Sequence, residues 1–139
     1  RESMTDEFHI NYRILEHMRA EVKWIKTLED LDYMIQKMQE VNTLIDCIFG
    51  IGLSREVRGT AAVVIEQINS SRIYTISVDI PSGIHATTGK ILGTYVEANE
   101  VVCLQYLKSG LVDNQYLHCE ISVVEIGIPE QARKYVMGE

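Results

Sequence analysis

The sequence predicts an α/β fold: a mostly parallel sheet with helices on both faces. Three observations predict it. Amphipathic stripes and short apolar runs alternate as α-β-α-β-α-β up to residue 80, and alternation of this kind implies parallel strands joined by helical crossovers. Two of the apolar runs carry a carboxylate at or near a glycine-containing turn, Asp46 before Gly50 and Asp79 before Gly83. Open α/β sheets gather ligands beyond the carboxyl ends of their strands. Finally, 139 residues with 46% hydrophobic side chains suffice for one ordinary core.

The elements follow in order. Residues 5–18 read as a helix, because Phe8, Tyr12 and Leu15 recur at i, i+4 and i+7 with Ile14 and Met18 beside them. Ser3 and Asp6 have capping-box spacing just before that stripe. Val22-Lys23-Trp24-Ile25 reads as a short strand. Thr27 and Asp30 repeat the capping-box spacing, and Leu28, Leu31, Met34, Ile35 and Met38 form the stripe of a second helix. Thr43 to Phe49 reads as a strand that Gly50-Ile51-Gly52 breaks. A third helix is expected from Gly59 to Ile68, with Ala61, Val64, Ile65 and Ile68 inward and Asn69-Ser70-Ser71 as its stop. Ile73 to Val78, Val101 to Tyr106 and Ile121 to Ile126 read as strands, with no helix expected after residue 80. No repeat or linker divides the chain, so residues 1–139 are expected to belong to one domain. A doubly wound domain normally opens with its central strand and a glycine-rich turn; this chain opens with a helix.

Charge narrows the function. Twenty acidic and 13 basic side chains give a net charge of −7, and the basic residues are scattered. A phosphate-backbone or anionic-membrane surface needs a basic surplus, so neither nucleic acid nor membrane is the expected partner. No apolar run approaches the ~20 residues of a membrane span. Arg1 to Glu7 is polar, which predicts no signal peptide and a cytoplasmic protein. Cys47, Cys103 and Cys119 form no C-x-x-C pair and are expected as reduced, buried thiols. The four histidines lack ligand spacing, and His9 and His17 are expected on a helix surface.

Two segments carry chemistry. Asp79-Ile80-Pro81-Ser82-Gly83 puts a carboxylate at a strand end and a hydroxyl on a rigid turn. Read structurally, the same Asp79 accepts backbone N–H bonds in that turn. Asp46 lies inside the apolar run Leu44 to Phe49. Burying an ionised carboxylate costs several kcal/mol without partners, so it needs a cation, a set of donors, or solvent at a cleft. In Gly50-Ile51-Gly52-Leu53-Ser54-Arg55, the glycines allow close backbone approach, and Ser54 and Arg55 suit phosphate oxygens. G-x-G without a third glycine is an incomplete dinucleotide fingerprint.

Together these segments resemble the epimerase domain of NAD(P)H-hydrate repair proteins, the YjeF N-terminal domain. Asp46 to Arg55 matches its D-x-x-F-G-x-G-L-S-R pattern. Val78 to Ile84, Thr88-Gly89 with Gly93, Lys108-Ser109-Gly110-Leu111 and Glu125 to Pro129 follow in the family's order over residues 42–129. The resemblance implies a three-layer α/β/α sandwich of Rossmann type. It implies epimerisation of the R and S forms of hydrated NADH or NADPH, an isomerase reaction needing only a potassium ion. Asp46 and Ser82 are the implied potassium ligands. Gly50, Ile51, Gly52, Leu53, Ser54, Arg55 and Glu56 form the implied substrate-binding loop, and Asp79 is the implied catalytic contact at the reacting ring.

The departures are specific. The family's N-N-G-G-D-G turn is absent, so the resemblance covers a domain lacking its N-terminal part. Thr87 stands where an acidic residue is common and Cys103 where threonine is usual. The dehydratase domain often fused after this one is also absent. The implied partners are hydrated NADH or NADPH, and either a second copy or the missing part of the same domain. The alternative is a non-catalytic nucleotide-binding or protein-interaction module of the same fold.

Overall fold

The computed structural model describes residues 5–137. Its elements run α1 (Asp6–His17), α2 (Leu28–Met38), β1 (Thr43–Asp46), α3 (Thr60–Ser71), β2 (Tyr74–Val78), β3 (Glu100–Leu104), a 3₁₀ turn (Ser109–Leu111), β4 (Glu120–Val124) and α4 (Glu130–Met137). The four strands form one sheet in the order β1-β2-β3-β4, and every pairing is parallel. The α/β alternation thus becomes the expected parallel sheet.

α1 starts at Thr5, whose hydroxyl accepts from the Phe8 amide at 3.3 Å. The expected cap, Ser3, lies outside the described residues. His9 and His17 are exposed on this helix, as expected. Val22 to Ile25 is not a strand. The Trp24 ring packs against Phe8 and Tyr12, with centroids 6.1 and 5.7 Å away. Its apolar residues satisfy a side-chain cluster, and no neighbouring strand receives the backbone. α2 has the expected capping box: the Thr27 hydroxyl accepts from the Asp30 amide, and Asp30 accepts from the Thr27 amide. Leu31, Met34, Ile35 and Met38 turn inward, but Leu28, in the first turn, stays exposed.

β1 ends at Asp46, three residues before the expected Phe49. β3 and β4 likewise run Glu100–Leu104 and Glu120–Val124, so they start one residue earlier and stop two residues sooner than expected. α3 continues through Asn69-Ser70-Ser71, which does not stop it. The Asn69 amide donates to the Tyr95 carbonyl and its oxygen accepts from the Glu97 amide, both at 2.9 Å. Those bonds occupy the groups that compete with a helical backbone. Arg72, left-handed with φ 55°, ends the helix. Helices also recur after residue 80. The turn at Ser109–Leu111 spans three residues and α4 eight, too short for a stripe to stand out in the sequence, and α4 is supported by a Glu130–Lys134 pair at i, i+4.

Strand register sorts side chains between two faces. Asp46 pairs with Ser77 and Ser77 with Val101, so these share a face with Thr75 and Cys103. All five are buried. Ile80, Ile84, Val101, Cys103 and Leu111 form one buried cluster; Val57, Ile65 and Val96 form another, and Ala98 touches both. The opposite face carries Ile45, Ile76, Val78, Val102, Leu104 and Val124, none of them buried; Ile45 is 68% exposed.

The cysteines differ from the expected buried set. Cys103 is buried, Cys119 is intermediate and Cys47 is exposed, because the strand has already ended when the chain reaches it. All three thiols are free. Partial burial pushes the Cys47 thiol above its ordinary pKa, with the Asp46 charge adding to the effect. Thiolate is the reactive form, so Cys47 should alkylate in the folded protein slowly near neutral pH and faster as pH rises. Cys103 should react only after denaturation; mass spectrometry of labelled peptides reads both.

A second expectation concerns Gly83, which has φ 99° and would set a Cβ 2.0 Å from the Thr94 carbonyl oxygen. Gly83→Ala should lower the unfolding free energy by more than ~3 kcal/mol, measured by urea titration followed by circular dichroism.

Candidate functional site

The carboxyl ends of β1 and β2 lie side by side, and each delivers a carboxylate. Asp46 closes β1 and is 1% exposed. Its Oδ2 accepts from the Ser77 hydroxyl at 2.7 Å and the Ser82 amide at 2.9 Å. Its Oδ1 accepts from the Ser82 hydroxyl at 2.6 Å and the Ile48 amide at 3.2 Å. Four donors therefore compensate the buried charge, one of the three solutions open to it. The Ser82 hydroxyl spends its proton on Asp46 and accepts from the Phe49 amide at 2.8 Å; the Phe49 carbonyl oxygen is 3.3 Å away. Asp46 and Ser82 are thus in direct contact, and the Pro81-Ser82-Gly83 turn is tied to the start of the loop after β1.

Asp79 follows β2 and adopts φ 72°. Asp and Asn tolerate this left-handed region better than most side chains. Its amide donates to the Val102 carbonyl, which holds the turn against β3. Both of its side-chain bonds among the described residues fall on one oxygen: Oδ1 accepts from the Leu104 amide at 3.0 Å and from the Lys108 ammonium. Oδ2 has no hydrogen-bond partner among the described residues. The carboxylate is partly shielded, with 19% of the side chain exposed.

The segment Gly50 to Glu56 is an exposed loop in which only Leu53 is partly covered. A Cβ placed at Gly50 or Gly52 would meet nothing within 4 Å, so their backbone borders open space. Leu53, Arg55 and Glu56 join Phe49, Val57, Arg58 and Ala61 in lining an open groove of about 680 Å³. Glu56 pairs with Arg58 at 2.7 Å, whereas Arg55 makes no ion pair among the described residues. The loop then enters α3 through Gly59, which provides no side-chain cap to the first amides. Phe49 connects this groove to Ser82. No hydrogen bond or ion pair among the described residues links Asp79 to Gly50–Glu56.

The remaining motif blocks pack together. The Val57 amide donates to Leu92 and the Leu92 amide to Gly83, which closes the turn segment against the end of the groove loop. Gly110 lies so close to the His85–Gly89 turn that a Cβ would stand 2.5 Å from the His85 carbonyl oxygen. Asn114 bridges the Gly89 and Gly110 carbonyls at 2.9 and 2.8 Å.

Sequence reasoning gave no role to Lys108 or Ser77. Lys108 had a local signal, a lysine opening a Ser-Gly turn just past β3, but its partner lies far back in the chain. Ser77 had none, because a serine within a strand reads as neutral filling.

Among the described residues no three His, Cys, Asp or Glu side chains cluster for a metal, and no helix is long and apolar enough to cross a membrane.

Comparison with known proteins bears on the fold and the family. The yeast protein ynu0, YNL200c, superposes with a TM-score of 0.74 at 20% identity, over 96% of this chain and 56% of its own, a likeness of fold. An NAD(P)H-hydrate epimerase of Anaerococcus prevotii is 34% identical over 133 residues, 96% of this chain and 61% of the relative. One from Oenococcus oeni is 33% identical over 132 residues, 94% of this chain and 59% of the relative. The chain thus spans about three-fifths of the length of these curated relatives. A family model described as "YjeF-related protein N-terminus" matches residues 1–110, which include Asp46, the groove loop, Asp79, Ser82 and Lys108. With that match over most of its length, and a parallel sheet that sets those residues at its carboxyl edge, the chain belongs to the YjeF N-terminal family.

Proposed function

We propose that the chain forms the larger part of an epimerase domain that interconverts the R and S forms of hydrated NADH or NADPH. The observation that carries this reading is Asp79: a partly shielded carboxylate beyond a parallel strand, one oxygen fixed and the other without a partner among the described residues. Inverting the hydrated ring carbon requires the hydroxyl to leave as water, which consumes one proton and leaves a cationic ring. Water then adds to the other face and releases a proton. A fixed carboxylate beside the ring stabilises the cation and exchanges the proton on the face it occupies, while water on the other face exchanges its proton with solvent.

The groove loop suits the rest of the substrate. The guanidinium of Arg55, without an ion pair among the described residues, the open backbone at Gly50 and Gly52, and the uncapped start of α3 all favour phosphate oxygens. Ile51, Leu53, Ser54 and Glu56 would complete that contact surface.

The donor set also fits potassium. The Asp46 carboxylate, the Ser82 hydroxyl and the Phe49 carbonyl bring three hard oxygens together, the ligand chemistry such a cation takes. When bound, the ion supplies a fixed positive charge for substrate oxygens. Asp46 and Ser82 would hold it, giving up some of the hydrogen bonds with which they now brace the two loops.

The half-exposed sheet face is assigned to the remaining part of the domain, with a second copy of the chain as the alternative. A cytoplasmic setting suits the three free thiols.

The test uses a polypeptide of the relatives' full domain length and follows interconversion of the two hydrates by chromatography. Asp79→Asn keeps an acceptor for the Leu104 amide and a residue tolerant of φ 72°. It should lower kcat at least 100-fold with little change in melting temperature; unchanged turnover removes Asp79 from the chemistry. Nucleotide binding without turnover in the unmodified protein would favour the non-catalytic module.

Asp46→Ala should behave differently. It strands the Ser77 and Ser82 hydroxyls and the Ser82 amide, so unfolding should become easier by about 3 kcal/mol, together with loss of any potassium response. Denaturant melts with and without potassium chloride separate the two effects.

A further inference from the structure

The Lys108 ammonium is held in place on every side. It donates to the Leu104 and Tyr106 carbonyls, each at 3.0 Å, and to Asp79 Oδ1. Its side chain is 15% exposed, so the pair is only weakly screened. Its backbone is equally fixed. The next residues form the 3₁₀ turn, the Ser109 hydroxyl donates to the Thr87 carbonyl at 3.1 Å, and the Gly110 amide donates to Ala86 at 2.8 Å. Leu111 is sunk in the core at 3% exposure. An ammonium has three N–H donors, and all three are committed to these partners, leaving none for a ligand.

We infer that Lys108 is the positioning residue for Asp79. It fixes Oδ1 from the side opposite the free oxygen, so that Oδ2 is the atom presented to the reacting ring. The Leu104 amide is a second, weaker anchor on the same oxygen. With the ammonium removed, the carboxylate keeps only that amide and turns about its last bond, so neither oxygen is held at a set angle and distance to the ring. A misplacement of ~1 Å at a reacting group costs about two orders of magnitude in rate. The inference rests on the epimerase reading for its purpose, but the fixed carboxylate is a property of the fold and can be measured without turnover.

The experiment uses the domain at the relatives' full length with Lys108→Met, Lys108→Ala and Lys108→Arg. In Lys108→Met, kcat should fall 30- to 100-fold while KM and the half-saturating potassium concentration stay within twofold. Lys108→Ala should regain several-fold activity with millimolar propylamine, and the gain should saturate; trimethylamine at the same concentration should give none. Lys108→Arg should retain more activity than Lys108→Met. A fall in activity that follows melting temperature across the three variants, with no amine effect, would reduce Lys108 to a structural ion pair and overturn the inference. So would unchanged kcat. Independently, the carboxyl carbon resonance of Asp79, identified by its loss in Asp79→Asn, should shift or broaden in Lys108→Met. An unchanged resonance overturns the positioning claim. If the unmodified domain fails to interconvert the hydrates while that resonance does move, the epimerase reading fails and the fixed carboxylate stands.

Discussion

The structure depends most on the contact between Asp46 and Ser82. A carboxylate 1% exposed at the end of β1 is tolerable only because donors converge on it from β2, from the turn after β2 and from its own loop. Each donor is thereby assigned a position. Ser77 fixes the register of two strands at their carboxyl ends, and Ser82 fixes the turn that carries Asp79 on its other flank. Phe49, bonded to the same hydroxyl, begins the groove loop. The atoms that brace these turns are also the oxygens proposed above for potassium.

The turns beyond Ser82 extend this frame. Gly83, Leu92 and Val57 are linked by successive backbone bonds, and the 85–89 and 109–114 segments are joined by Gly110 and Asn114. These contacts bring together motif segments that are separated along the chain. They form one contiguous block at one edge of the sheet. Lys108 stands where that block meets β3, so its reach to Asp79 follows from backbone packing and not from a flexible search.

Much of this was legible in the residues. The parallel sheet follows from alternating periodicities, β2 from an apolar run that stops at a carboxylate, and β1 from an apolar run whose end at Asp46 the residues alone did not mark. The Thr27–Asp30 box follows from spacing alone, since both partners lie within one turn. What escaped depended on distant partners. A four-residue apolar run such as Val22 to Ile25 reads alike whether it joins a sheet or covers a helix. Asn69 to Ser71 reads as a helix stop unless the Tyr95 and Glu97 backbone is known to occupy its side chain. Lys108 meets Asp79 across 29 residues, and nothing local in either segment announces the other.

The open side of the sheet has a consequence of another kind. Ile45, Val124 and their neighbours keep apolar area in water that a folded domain ordinarily removes. Whatever covers that area binds the folded chain and not the unfolded one, so it adds stability in proportion to the logarithm of its own concentration. When the covering segment belongs to the same polypeptide, its effective concentration is fixed by the connecting chain and the contribution is constant. When it is a separate molecule, the folded population becomes a matter of mass action, rising and falling with supply. The durability of this fold is then a property of the pair and not of the 139 residues alone.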